Sequence, residues 1–277
     1  MEIFNILLNK RFLFVLVAIT IGTLVLISIK YGTGAPAPEK KICSFPLDLA
    51  PNSVDDMYNG CEDEMGKKVA SLLNTEKKGK FREAWRAAQK CYNNNWATTT
   101  SRLKKEQIMA IHAYTLGMPP IYDEFNKAVR TQKSGYTTKF QYHALHFYLT
   151  MALRSLKHNA PQCVTTYRRT NCKFETEINR EIRFGGFTSS SEGGYPSPHF
   201  GDQSCFEITT CFGADISKFS MFEWENEVLI PPYEVFKVTG IQKRSGNNFL
   251  PCQVVYKLKS TRKPRSSLNC ALTKSGL

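Results

Sequence analysis

The sequence predicts an α+β fold, an N-terminal helical region packed on a C-terminal, mostly antiparallel β-sheet core. From Ser53 to about residue 158, apolar residues recur at three- and four-residue steps, the period of a helix. Beyond Asn159-Ala160-Pro161 the texture changes to short β-branched and aromatic runs separated by Gly, Pro, Ser and Asn. Helices grouped ahead of strands indicate α+β rather than alternating units. No Gly-rich strand-to-helix turn is present, which excludes a Rossmann unit, and no internal repeat is visible.

Taken in order, Phe12 to Ile29 is an uncharged apolar run of 18 residues preceded by Lys10 and Arg11. As a helix it would span about 27 Å, close to the thickness of a bilayer core. Basic residues ahead of such a run favour a cytoplasmic N-terminus. On this reading residues 1–11 are cytoplasmic, 12–29 form a signal-anchor helix, 30–45 form a flexible Gly/Pro/Lys-rich stalk, and 46–275 form one folded domain. A cleaved signal peptide is the alternative, although Gly32-Thr33-Gly34-Ala35 followed by Pro36 is a poor cleavage context. Ser53-Val54-Asp55-Asp56 resembles a helix start, with a hydroxyl cap and acids in the first turn. Helices are expected near 53–74, 80–92, 103–116, 121–131 and 137–158. The last is the clearest, with Phe140, Tyr142, Leu145, Leu149, Ala152 and Leu153 on one face. His143 and His146 lie in it without a third ligand, so they read as hydrogen-bonded core residues rather than a metal site. Strands are expected at 164–167, 182–188, 206–211, 227–230, 234–238 and 253–257.

Composition bounds the function. Hydrophobic content of 42% and aromatic content of 12% exclude a disordered chain. The net charge of +13 suits anionic partners. The Lys and Arg residues look scattered along the chain, and no helix-turn-helix, finger or RNA-binding signature occurs, so no nucleic acid partner is expected. Nine cysteines without CxxC or Cys/His metal spacing point to disulfides in an oxidising compartment, one thiol being left over.

Three elements of the β half carry candidate chemistry. Thr166-Tyr167-Arg168-Arg169 closes a strand, Phe184-Gly185-Gly186-Phe187-Thr188 leads into Ser189-Ser190-Ser191, and Phe222 to Glu234 reads FEWENEVLIPPYE. In an unbroken strand Glu225 and Glu227 would point the same way, roughly 6–7 Å apart. Two carboxylates at one site perturb each other's ionisation and can take different roles. Each element alone fits a surface charge, a loop or a solvated strand face.

Together, in this order, they resemble the R-S-ExE motif of the arginine-specific ecto-ADP-ribosyltransferases. The resemblance covers about residues 46–275. It includes Leu47-Asp48, Asp55-Asp56, Tyr58 and Cys61, the run His143 to Thr150, Ile182-Arg183-Phe184-Gly185, and Glu225 to Phe236. It implies the ADP-ribosyltransferase fold, NAD as substrate without a metal, and arginine-bearing acceptor proteins. It also implies roles. Arg168 holds the NAD phosphates, as a planar guanidinium fork suits. Ser189 supports the nicotinamide end. Glu227 stabilises positive charge at the sugar carbon. Glu225 orients and helps deprotonate the acceptor guanidinium. Tyr114, Gly186 and Ser220 align with NAD-contacting positions. Cys61–Cys270 and Cys163–Cys211 are the implied disulfides, the first stabilising by about 4–5 kcal/mol through loop closure. Cys43, Cys91, Cys172, Cys205 and Cys252 are extra to the pattern, with Cys172–Cys205 and Cys91–Cys252 among the pairs open to them. Arg169 and Gly186 depart from the family, which often has Gly and Gln there. The same fold working as an NAD glycohydrolase, or as a silent surface module, are the alternatives. The second is disfavoured because Arg168, Ser189, Glu225 and Glu227 are all present.

Overall fold

The computed structural model describes residues 43–95, 101–158 and 162–274. The expected cytoplasmic segment and membrane anchor, residues 1–29, lie outside them, as does most of the expected stalk. The end of that stalk span does not run free. Ser44–Pro46 forms β1, which pairs parallel with β3 (Lys173–Glu175), and Cys43 is bonded to Cys172.

Six helices are described: α1 (Glu62–Glu76), α2 (Arg82–Asn95), α3 (Lys105–Thr115), α4 (Tyr122–Thr131), α5 (His143–His158) and the short α6 (Ala271–Lys274). The first begins later than its sequence suggests, because Asp55 and Asp56 do not cap a helix. Asp55 forms a buried ion pair with Arg183 and accepts from the Ser267 and Leu268 amides. Asp56 accepts from Tyr136 Oη and the amides of Tyr58 and Cys270. Local acids are thus spent on distant partners, and Tyr58 turns the chain with a φ of 57°. The helix starts after Cys61, with Glu62, Asp63 and Glu64 in a first turn that favours negative charge.

The remaining strands are β2 (Val164–Thr170), β4 (Glu181–Ile182), β5 (Thr188–Glu192), β6 (Ser204–Thr210), β7 (Ala214–Asp215), β8 (Glu227–Ile230), β9 (Phe236–Lys243) and β10 (Val254–Ser260). They make one sheet in the order β4-β9-β10-β6-β2-β5-β8-β7, antiparallel except where β10 meets β6. The expected mostly antiparallel sheet is therefore present. One apolar core joins the helices to the β5–β8–β7 end through Phe187, Ala214, Ile216 and Leu229. A second lies around Phe206, Ile208, Phe236 and Tyr256. His146 is enclosed in the first. Its Nε2–H donates to Val54 O and its Nδ1 accepts from Tyr58 Oη, so the ring is neutral. Burial holds His143 and His146 near pKa 4. Among the described residues no cluster of His, Cys, Asp or Glu could hold a metal ion.

Four disulfides brace this frame: Cys43–Cys172, Cys61–Cys270, Cys163–Cys211 and Cys205–Cys252. Neither Cys172–Cys205 nor Cys91–Cys252 forms. The parallel β10–β6 register places Cys205 beside Val255, within reach of Cys252, while β1 carries Cys43 to Cys172. Cys91, on α2, keeps a free thiol.

Candidate active site

The central strands β2, β5 and β8 carry the functional side chains into one cleft. Its volume is about 350 Å³, and its walls include Arg168, Ser189, Glu225, Glu227 and Trp224. Arg168, on β2, is half-buried in the cleft wall, and its Nη1 donates to Ser189 O at 2.8 Å. The guanidinium therefore fixes the backbone of β5. Ser190 Oγ donates to Val228 O at 2.9 Å, and Ser191 Oγ donates to Glu225 O at 2.8 Å. The serine run thus ties β5 to β8 and to the turn ahead of it.

That turn corrects the expected glutamate strand. Glu223–Glu225 is a 3-10 turn, Asn226 is left-handed with a φ of 46°, and β8 begins only at Glu227. Glu225 and Glu227 are not alternate residues of one strand. Their convergence comes from the turn and its tether to Ser191. The reason is local: Asn tolerates the left-handed region better than most residues, and Ser220 Oγ and Thr115 Oγ1 capture the Phe222 and Met221 amides.

Glu227 is only 6% exposed. Ser220 Oγ donates to its Oε2 at 3.3 Å. Burial raises its pKa above the usual carboxylate value. The Glu225 charge adds to the rise, and hydrogen bonds from Ser189 and Ser220 with the Arg168 charge oppose it. Glu225 is half-buried and also raised by burial. Trp224, by contrast, is 75% exposed.

Tyr114, Gly186 and Ser220 are buried against this group rather than lining the cleft. Tyr114 Oη donates to Phe187 O and accepts from Asn126 Nδ2, and burial pushes its pKa up to about 12. Two residues on α4 escaped the sequence reading. A Cβ on Gly186 would lie 3.0 Å from Asn126 Oδ1 and 3.1 Å from Arg130 Nη1. The side chain missing at Gly186 is thus the space taken by an asparagine and a guanidinium. Asn126 Oδ1 is buried with no partner among the described residues, while Arg130 stays open to solvent. The available signal was a polar pair at i and i+4 beside buried Phe125 and Val129. Arg169, the other departure, is extended rather than left-handed. Its guanidinium donates to Pro196 O and Pro251 O, tying one wall of the cleft to the Cys252 loop.

A model of the family described as NAD:arginine ADP-ribosyltransferase matches residues 47–260. The chain belongs to this ADP-ribosyltransferase family. Human ecto-ADP-ribosyltransferase 5 is 37% identical over 239 residues, covering 82% of this chain and 80% of that protein. The erythroblast NAD(P)(+)–arginine ADP-ribosyltransferase of Gallus gallus is 33% identical over 263 residues, covering 92% and 85%. The crystal structure of the eucaryotic mono-ADP-ribosyltransferase ART2.2 superposes with a TM-score of 0.69 at 33% identity, over 82% of this chain and 98% of that one. Glutamate variants of ART2.2 have been solved in complex with NADH and with NAD. As an ADP-ribosyltransferase fold, the chain has the expected helical layer and mostly antiparallel sheet.

Proposed function

We propose that this protein transfers ADP-ribose from NAD to arginine side chains of acceptor proteins and releases nicotinamide. The observation that carries the reading is the buried Glu227 carboxylate, fixed by Ser220 at the start of β8 and sharing one cleft with Arg168 and Glu225. In this reading Arg168 and Arg130 supply positive charge to the pyrophosphate, a role suited to a guanidinium. Asn126, with its Oδ1 buried beside Gly186, braces Tyr114 through its Nδ2. Glu227 accepts from a ribose hydroxyl and stabilises the sugar cation as the glycosidic bond breaks. The bonding pair leaves with the nicotinamide ring nitrogen, which becomes neutral. Glu225 orients the acceptor guanidinium and takes its proton as the new carbon–nitrogen bond forms. Tyr114, Gly186 and Ser220 act from behind, holding Phe187, the Asn126–Arg130 pair and Glu227. Incubation with labelled NAD and agmatine tests the assignment. ADP-ribosyl-agmatine is expected, and free ADP-ribose alone would make the enzyme a glycohydrolase.

Four disulfides suit a compartment outside the cytosol. In the same reading residues 12–29 hold the catalytic domain to a membrane from the outer side. Among the described residues no helix is long and apolar enough to cross a membrane. N-terminal sequencing of the mature protein distinguishes an anchored chain from a cleaved one.

A further inference from the structure

The Lys and Arg residues look scattered along the chain, yet one stretch carries much of the net charge. Residues 65–105 hold eleven Lys and Arg against two Glu, so 41 residues carry +9 of the total +13. Of the two acids, Glu76 is buried and accepts from the Ala144 and Leu145 amides at the start of α5. Glu83 meets Arg82 and Arg86 at the surface, in exposed pairs of the weak kind that an incoming anion readily displaces.

The end of α1 and the outer face of α2 form a groove of about 560 Å³ lined by Lys77, Arg82, Arg86, Lys90, Gln89 and Asn93. Arg82, Arg86 and Lys90 are four residues apart, so they form one row with roughly 6 Å of rise per step. No carboxylate lines the groove. Lys77 and Lys90 have no ion-pair partner among the described residues. None of the groove residues belongs to the cleft that holds Glu227.

We propose that this groove binds a linear sulfated polysaccharide. A row of guanidinium and ammonium groups with amide donors between them matches sulfate oxygens spaced along a chain. The surface is concave, which suits a strand-like polyanion better than a flat lipid face. Trp85, the aromatic residue of the groove, is 1% exposed and offers no ring for a base to stack on. The disulfides place the groove outside the cytosol, where sulfated glycans are available.

The test uses the full chain in neutral phosphatidylcholine nanodiscs, titrated with heparin, desulfated heparin, an oligothymidylate of matched charge and phosphatidylserine vesicles. The variant is Lys77→Glu/Arg86→Glu/Lys90→Glu. The control is Lys237→Glu/Lys243→Glu/Lys259→Glu, exposed positions of β9 and β10 with the same change in net charge. Heparin is expected to bind most tightly. The groove variant should weaken it at least tenfold and flatten its salt dependence, with the control within about twofold. Both variants should keep wild-type transfer to agmatine, which separates this result from the status of the catalytic reading. Equal losses in variant and control, no loss in the groove variant, or tighter binding of the oligothymidylate, the vesicles or desulfated heparin would overturn the proposal.

Discussion

Glu227 and Glu225 differ in burial, and that difference sets their expected behaviour. Glu227→Gln should lower both transfer and NAD hydrolysis by about 10²–10³-fold or more, the scale of losing a preorganised electrostatic contact. Glu225→Gln should lose transfer to agmatine while keeping hydrolysis, and loss of both would refute the division of roles. The pH dependence follows the same geometry. Burial raises the Glu227 pKa, and its ionised form is the active one, so activity falls as pH drops through a value above the ordinary carboxylate range. The Glu225 charge contributes to that rise. In Glu225→Gln the acid limb of NAD hydrolysis should therefore move to lower pH, as a pH–rate profile would show. Arg130→Ala should raise the KM for NAD several-fold with a smaller effect on kcat, because the guanidinium sits beside Gly186 and is not among the groups that shift the Glu227 carboxylate. That Arg168, Ser189, Glu225 and Glu227 share one cleft was legible only through the resemblance of three segments taken together, since each segment alone fits an ordinary surface. Asn126 and Arg130 were not, because only the fold brings α4 against Gly186.

The turn before β8 shows how an element can mislead at sequence level. Alternating Glu, Trp, Glu, Asn and Glu have the period of a strand, yet side-chain captures of the Met221 and Phe222 amides and the left-handed Asn226 bend the first half into a 3-10 turn. Ser53-Val54-Asp55-Asp56 misleads in the same way, since its acids serve partners 80 and 128 residues distant, Tyr136 and Arg183. Long periodic helices such as α5 were legible, because their burial pattern is internal to the segment. The α1–α5 contact gives a prediction of its own. Burial raises the Glu76 pKa to about 8 even though its carboxyl accepts from two amides of α5. A folded value above the unfolded one stabilises fully below about pH 4.5, and that share is lost as pH rises through 8. The melting temperature of the parent protein should therefore fall relative to Glu76→Gln between pH 5 and 8. The shift should be about 2–4 °C for each kcal/mol of linkage.

The two halves of the molecule are joined by the buried Arg183–Asp55 pair as well as by apolar packing. Arg183 donates to Leu49 O, Ala50 O, Arg265 O and Asp55, so the start, middle and end of the domain meet on one guanidinium. The main chain there leaves no slack: Gly185 has a φ of +71°, and a Cβ on it would lie 2.6 Å from Ala50 Cβ. Asp55→Ala should cost about 3–5 kcal/mol, since it strands a buried cation, and chemical denaturation would measure it. The α+β class and the order of helices before strands were readable from periodicity alone. The strand order was not, because β10 joins β6 in parallel by a pairing that local pattern does not encode. The Cys61–Cys270 bond, finally, makes almost the whole domain a covalent ring. A single proteolytic nick anywhere between those two cysteines opens the ring without dividing the molecule. After a cut between Tyr114 and Glu227, the fragments bearing them stay linked until a reductant arrives, so the enzyme's vulnerability to proteases is set by redox conditions as much as by cleavage sites.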